Sequence, residues 1–341
     1  MNMEFERKLE IPMEVKAQYP ITPEMAAVIA RRREELCAIF DGRDDRLILI
    51  AGPCSADRED AAIEYLSRLR RLSERVEDRI FLIPRLFTNK PRTDGDGYKG
   101  ILHQPNPSAR PDLYRGILLS RALHMRAVRD TGFSCADEML YPENHKYFDD
   151  LLAYVTVGAR SVEDQQHRLT ASGVDVPVGM KNPTGGDLHV LLSAIHTAQR
   201  PHSFIYRGWA AHSAGNPYAH AILRGYTDLA GRMIPNYGTD ALLRFAELYA
   251  KADLMHPAIL VDANHANSGK DPFRQPEIVK SVLAARKHPD LRPLLKGVMI
   301  ESYLEDGSQP VGGGRFGQSI TDACLGWDKT ERLILEMADS L

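Results

Sequence analysis

No stretch of the chain approaches the roughly 18 consecutive apolar residues of a membrane-spanning helix, and Met1-Asn2-Met3-Glu4-Phe5-Glu6-Arg7-Lys8 lacks the apolar core of a signal peptide. A cytoplasmic location with no membrane partner is the expectation. Cysteine is sparse: Cys37, Cys54, Cys135 and Cys324 show no C-x-x-C spacing, which argues against a zinc ribbon and against a disulfide framework. Neither sign of charge is in excess, with 43 Lys+Arg against 46 Asp+Glu, so bulk charge argues against a nucleic-acid partner. Beyond a strand and helix alternation there is no self-similar period of about 20 to 50 residues and no low-complexity tract.

What is present is a globular composition, 43% hydrophobic and 26% charged over 341 residues. That length suits two average domains or one closed α/β barrel. Residues 1–45 read as an arm plus a helix. In Thr22-Pro23-Glu24 the Thr is a helix N-cap, Pro takes the first helical position and Glu the first turn. Met25, Val28, Ile29, Leu36 and Phe40 then share one face, and Asp41-Gly42 ends the helix. Such a helix either packs on its own domain or reaches a neighbouring subunit.

Residues 46–341 follow a different rule. Leu47-Ile48-Leu49-Ile50-Ala51 is a short buried strand, Gly52-Pro53 turns it, and a thiol, Cys54, stands at the exit. Eight such apolar runs occur, at 47–51, 80–83, 133–136, 153–157, 176–180, 203–206, 258–261 and 298–300. Helical patterns at 61–72, 114–131, 188–198, 240–250 and 276–285 alternate with them. The alternation predicts an α/β fold, a (β/α)8 TIM barrel with an N-terminal arm and helix extension. Right-handed crossovers then bring every strand C-terminus to one end. The segments 89–112, 208–236 and 305–319 are too long for plain turns and are rich in Gly, Pro, Asn and Ser; at that end of a barrel such loops hold substrates.

The residues after the runs divide by chemistry. Arg85, Lys90, Arg92, Arg160, Lys181 and Arg224 are cations, more than one phosphate needs, and predict two anionic substrates or one large one. Cys54, His265, Glu301 and Asp322 form a mixed soft and hard ligand set suited to one divalent metal ion such as Mn, Fe, Co or Zn. The first, seventh and eighth units that carry them adjoin when a barrel closes. Three of the four have a plainer alternative: Cys54 as an inert thiol, His265 as a core histidine, and Asp322 as the cap of a last helix, since Ser319-Ile320-Thr321-Asp322 matches S-x-x-D.

In order along the chain, Gly52-Pro53-Cys54-Ser55, Lys90-Pro91-Arg92-Thr93, Gly158-Ala159-Arg160-Ser161, Pro177-Val178-Gly179-Met180-Lys181-Asn182, Leu223-Arg224-Gly225, His265-Ala266-Asn267-Ser268, Glu301-Ser302 and Ser319-Ile320-Thr321-Asp322 resemble class I DAHP synthases. Those enzymes condense phosphoenolpyruvate with erythrose 4-phosphate as the first step toward aromatic amino acids. The resemblance covers about residue 46 to the C-terminus, and the arm is similar to that of the feedback-regulated branch. It implies a metal on Cys54, His265, Glu301 and Asp322, phosphoenolpyruvate on Arg85, Arg160, Lys181 and Arg224, and erythrose 4-phosphate on Lys90, Arg92 and Thr93. Glu138 is implied to position a water, and Lys90, Glu138, His265 and Asp322 to act on the reacting atoms.

A homodimer or homotetramer is expected on the same ground, and an aromatic amino acid is a candidate effector. The chain departs from the familiar pattern at Asn89, where Glu is usual, at Tyr206-Arg207-Gly208, and at Tyr303, where His is usual. Asp175 and Tyr141-Pro142-Glu143-Asn144 do not match the phenylalanine-sensitive pattern, so regulation is not carried over. Two rivals remain: a synthase using arabinose 5-phosphate, and a non-catalytic barrel that binds phosphate ligands.

Overall fold

Eight parallel strands make one sheet in the computed structural model, which describes residues 2–341. They are β1 (Leu47–Gly52), β2 (Ile80–Pro84), β3 (Ala136–Glu138), β4 (Tyr154–Val157), β5 (Val178–Lys181), β6 (Ala219–Leu223), β7 (Ile259–Asp262) and β8 (Leu295–Glu301). Their spatial order is β2-β1-β8-β7-β6-β5-β4-β3, so sequence neighbours pair all the way round. The ends meet where Arg85, just past β2, bridges Ala136 and the Leu86 N–H donates to the Ala136 carbonyl at 3.0 Å. This closes the barrel.

Alternation along each strand divides the core. Ile48, Ile50, Phe81, Ile83, Tyr154, Ile222, Leu260 and Met299 fill the interior, whereas Leu47, Leu49, Leu82, Val155, Val157 and Val261 face the helix layer. That layer includes α3 (Glu59–Ser73), α4 (Leu113–Thr131), α5 (Gln165–Ala171), α6 (Leu188–Ala198), α7 (Thr239–Ala250), α8 (Gln275–Arg286) and α9 (Trp327–Ser340), after α1 (Pro12–Gln18) and α2 (Pro23–Phe40) of the arm.

The arm helix packs on its own barrel. The Thr22 hydroxyl accepts the Met25 N–H at 3.2 Å, and Gly42 leaves α2 with φ 75. Leu36, Ile39 and Phe40 join the interior cluster, with the Phe40 ring 4.5 Å from that of His220. They plug the barrel at the N-terminal ends of its strands. Arg33 fastens the helix by donating to the Leu152 carbonyl at 2.9 Å.

Two strand expectations need correction. The third strand begins at Ala136 and runs through Asp137 and Glu138, whose polar side chains break the apolar run that marks the other strands. The run at 203–206 is not a barrel strand: His202–Tyr206 pairs antiparallel with Trp209–Ser213 through a two-residue turn at Arg207 (φ 51) and Gly208 (φ 79). The sixth barrel strand is Ala219–Leu223, inside what reads as a connection. Its apolar signature is broken by His220, buried because Tyr154 Oη lies 2.7 Å from its Nε2 and the Tyr218 carbonyl 2.8 Å from its Nδ1.

Candidate active site

Gly52 ends β1, and a Cβ there would lie 2.2 Å from the Arg85 carbonyl oxygen, so only glycine lets the first two strand ends approach this closely. Pro53 then turns the chain and Cys54 is fully buried at the mouth. Arg85 braces the turn, donating from Nε to the Pro53 carbonyl (3.0 Å) and from Nη2 to the Cys54 carbonyl (3.0 Å) and Glu301 Oε1 (2.8 Å). Glu301, at the end of β8, also accepts the Asn264 amide on Oε2 at 2.6 Å. Lys90 Nζ reaches Cys54 Sγ and Asp322 Oδ2, each at 2.7 Å. One ligand atom from each of Cys54, Glu301 and Asp322 falls within 4.8 Å of the others.

His265 stands beside this cluster. Its Nε2 is 3.7 Å from Glu301 Oε1 and its Nδ1 2.9 Å from Asp262 Oδ2. A φ of 54 holds it in the left-handed region, a strain the surrounding structure must enforce. Asp322 is not a helix cap, because α9 starts at Trp327 behind Gly326. The electrostatics are strongly coupled. Burial and Glu301 push the Cys54 thiol up to about 11. Burial opposes the charges of Lys90 and Asp322, yet Cys54, Glu301 and Asp322 hold the Lys90 ammonium above its usual range, and Lys90 holds the Asp322 carboxyl below its own.

Above the cluster lies a cavity of about 270 Å³. Its cations are of two kinds. Arg85, Lys90 and Lys181 are already paired, with Glu301 (2.8 Å), Asp322 (2.7 Å) and Asp262 (3.0 Å). Arg92, Arg160 and Arg224 have no carboxylate partner among the described residues: Arg92 Nε donates to the Tyr98 carbonyl (2.9 Å) and Arg160 Nε to the Thr93 hydroxyl (2.9 Å). Arg224 is held by its backbone, whose N–H donates to Asn182 Oδ1 at 2.9 Å and whose carbonyl accepts the Asn267 N–H at 3.2 Å. Burial lowers its pKa. A group arranged in this way attracts an incoming anion. Glu138 enters from β3, and a Cβ on Gly158 would lie 2.4 Å from its Oε1, so the glycine makes room for the carboxylate.

The DAHP synthetase I family model matches residues 14–335. The chain belongs to the DAHP synthetase I family. Among curated relatives, the Tyr-sensitive phospho-2-dehydro-3-deoxyheptonate aldolase of Escherichia coli (strain K12) is 36% identical over 98% of this chain and 94% of its own. The Trp-sensitive enzyme of Escherichia coli O157:H7 is 34% identical over 98% and 95%. A solved structure of phospho-2-dehydro-3-deoxyheptonate aldolase from Francisella tularensis SCHU S4 superposes with a TM-score of 0.92 at 31% identity, covering 99% of this chain and 98% of that one.

In this DAHP synthetase I chain, Cys54, Arg85, Lys90, Arg92, Thr93, Glu138, Arg160, Lys181, Arg224, His265 and Asp322 all line the one cavity, and Glu301 lies buried beside it. The departures fall outside it: Tyr206, Arg207 and Gly208 belong to the hairpin, and the Tyr303 hydroxyl donates to Asp57 at 3.1 Å. Sequence reasoning assigned no role to Asp262, or to the Asn182, Asn236 and Asn267 lattice beneath Arg224, where Asn236 N–H donates to Asn267 Oδ1 at 2.8 Å. The available signal was the asparagine in Lys181-Asn182 and in Ala266-Asn267, each just past a strand-end residue.

Proposed function

We propose that the chain joins phosphoenolpyruvate, erythrose 4-phosphate and water into 3-deoxy-D-arabino-heptulosonate 7-phosphate and phosphate, the first step of aromatic biosynthesis. One observation carries this reading: a thiol and carboxylate donor cluster adjoins a single cavity lined by three guanidiniums without a carboxylate partner among the described residues. Family membership supplies the reaction class.

Arg224 and Arg160 take the phosphate and carboxylate of phosphoenolpyruvate, with Lys181 and Arg85 as the paired floor beneath them. Lys90, Arg92 and Thr93 take the aldose phosphate. Bound in this way, C3 of phosphoenolpyruvate lies against the aldehyde carbon, and the new C–C bond forms there. Lys90, held protonated, delivers a proton to the aldehyde oxygen as it becomes an alkoxide. C2 is left electron-poor; Glu138 orients a water and accepts its proton as the oxygen adds. Cleavage of the C2–O bond to phosphate, with the proton of the new C2 hydroxyl passing to the departing phosphate, then leaves the ketone, and the guanidiniums stabilise the leaving anion.

Divalent-metal dependence is characteristic of the family, and the donor set suits it: one thiol, two carboxylates, and His265 Nε2 turned toward Glu301. Cys54, Glu301 and Asp322, with His265 completing the set, would hold the ion, which supplies Lewis-acid polarisation of the aldehyde oxygen. Mn, Fe, Co and Zn all suit these ligands. The relatives named Tyr-sensitive and Trp-sensitive are almost equally similar, so an aromatic amino-acid effector is part of this proposal without a choice among the three, as is assembly into a homodimer or homotetramer.

The test is phosphate release by purified protein with phosphoenolpyruvate, Mn and either erythrose 4-phosphate or arabinose 5-phosphate. Turnover with the four-carbon aldose alone is expected. Turnover only with arabinose 5-phosphate replaces the substrate, and none with either reduces the protein to a binding barrel. Adding Phe, Tyr or Trp to the same assay identifies the effector.

A further inference from the structure

Asp137 does not line the cavity, yet it is the best-bonded buried carboxylate near it. Its residue is 3% exposed. Oδ1 accepts the backbone N–H of Thr88 at 2.9 Å and of Glu138 at 2.7 Å. Oδ2 accepts the Thr88 hydroxyl at 2.6 Å and faces His124 Nε2, from α4, at 3.2 Å. A carboxylate supplies all these acceptor sites at once, which neither a hydroxyl nor an amide oxygen does. Burying it costs solvation that the four contacts must offset.

Thr88 is the hinge point of the long loop 89–112. It is fully buried, its carbonyl accepts the Leu102 N–H at 3.1 Å, and a Cβ on Gly100 would lie 2.3 Å from that same oxygen. The Lys90 N–H donates to the Lys99 carbonyl at 2.9 Å. The outgoing and returning limbs of the loop are therefore both pressed against Thr88, and Thr88 is pinned by Asp137. Two residues beyond the pin, Lys90 reaches Cys54 and Asp322. The same carboxylate holds the backbone of Glu138 at the end of β3.

We propose that Asp137 is a positioning residue that locks the loop carrying Lys90, Arg92 and Thr93 to the strand end carrying Glu138, so that aldose phosphate and water are presented in one register. A carboxylate that bonds the residues around a site orients them without itself touching a ligand. The inference rests on the substrate assignment proposed above for that loop.

Its test is steady-state kinetics of the full chain with Mn, alongside thermal midpoints, for Asp137→Asn, Thr88→Val, Thr88→Ser and the double variant Asp137→Asn/Thr88→Val. Asp137→Asn keeps the volume and Oδ1, and Thr88→Val removes only the hydroxyl. Each is expected to raise KM for erythrose 4-phosphate roughly tenfold, the effect of one charge-assisted hydrogen bond, with KM for phosphoenolpyruvate within about twofold. Thr88→Ser restores wild-type KM, and the double variant is no worse than the poorer single one because both remove the same bond. Unchanged KM values overturn the inference, and so does a parallel rise of both KM values with a fallen thermal midpoint, the mark of a merely structural residue. If the wild type releases no phosphate, the functional reading fails on its own account. The positioning role is then judged by calorimetric affinity for erythrose 4-phosphate, and equal affinity in wild type and Asp137→Asn overturns it.

Discussion

At the N-terminal mouth of the barrel Leu36, Ile39 and Phe40 of α2 close against Ile48, Phe81 and Leu260, and the contacts are apolar and well packed. At the C-terminal mouth the same strands end in Cys54, Arg85, Glu138, Lys181, Asp262 and Glu301, all buried and nearly all charged. Between these charges stand residues that strain or constrain the chain, among them His265 at φ 54 and Gly52 against Arg85. One end lowers the free energy of folding and the other is held in place by it. The difference teaches that stability and chemistry are separable here, and mutations at the two mouths should separate them.

The largest effect is expected at the charged mouth. Cys54→Ala should lower phosphate release by at least about 10³-fold, since a proposed metal ligand and a Lys90 contact go together, while the thermal midpoint moves by only a few degrees. A variant that kept both Mn affinity and rate would break the ligand assignment. Phe40→Ala probes the opposite mouth: a loss of about 3–5 kcal/mol in urea unfolding with both KM values within about twofold. If that variant lost activity without losing stability, the two ends would not be separable.

Arg224→Ala should raise KM for phosphoenolpyruvate by roughly 10- to 100-fold, the range for one charged hydrogen-bonding partner. Its thermal midpoint should not fall, because burial already works against that charge. Acid should act on both halves. Burial holds His145, near the charged mouth, and His220, in the interior above Phe40, down to about 4. The unfolded chain therefore binds more protons between about pH 6.5 and 4. Stability from these two groups is complete above about pH 6.5 and is lost as pH falls, on the order of 1–2 kcal/mol each by pH 5. Unfolding at pH 7 and 5 measures it, and His220→Asn should flatten the pH slope. The smallest effect is Thr22→Ala, which removes the N-cap of α2 at a cost of about 1 kcal/mol and should leave kinetics untouched.

The fold was largely legible because apolar runs and caps are local signals. Seven of the eight runs lie in or against barrel strands, and α6 spans the expected 188–198. The sixth strand escaped for an equally local reason: Ala219-His220-Ala221-Ile222-Leu223 carries a histidine that only its partner Tyr154, 66 residues away, makes tolerable. The hairpin run His202–Tyr206 passed for a strand of the barrel because period and β-branching do not encode which sheet a strand joins.

Residue types and their order determined, without coordinates, that this is a barrel with cations and metal-ligand types at its strand ends, because both follow from patterns a few residues long. Three-dimensional structure alone decided which cations are already neutralised, that α2 plugs its own barrel, that Asp322 is no helix cap, and that Asp137 clamps the loop of Lys90. Each of these depends on pairings such as Lys90 with Asp322, 232 positions apart. Burial in a low-dielectric mouth gives such pairs their strength, and no short pattern in the chain records it.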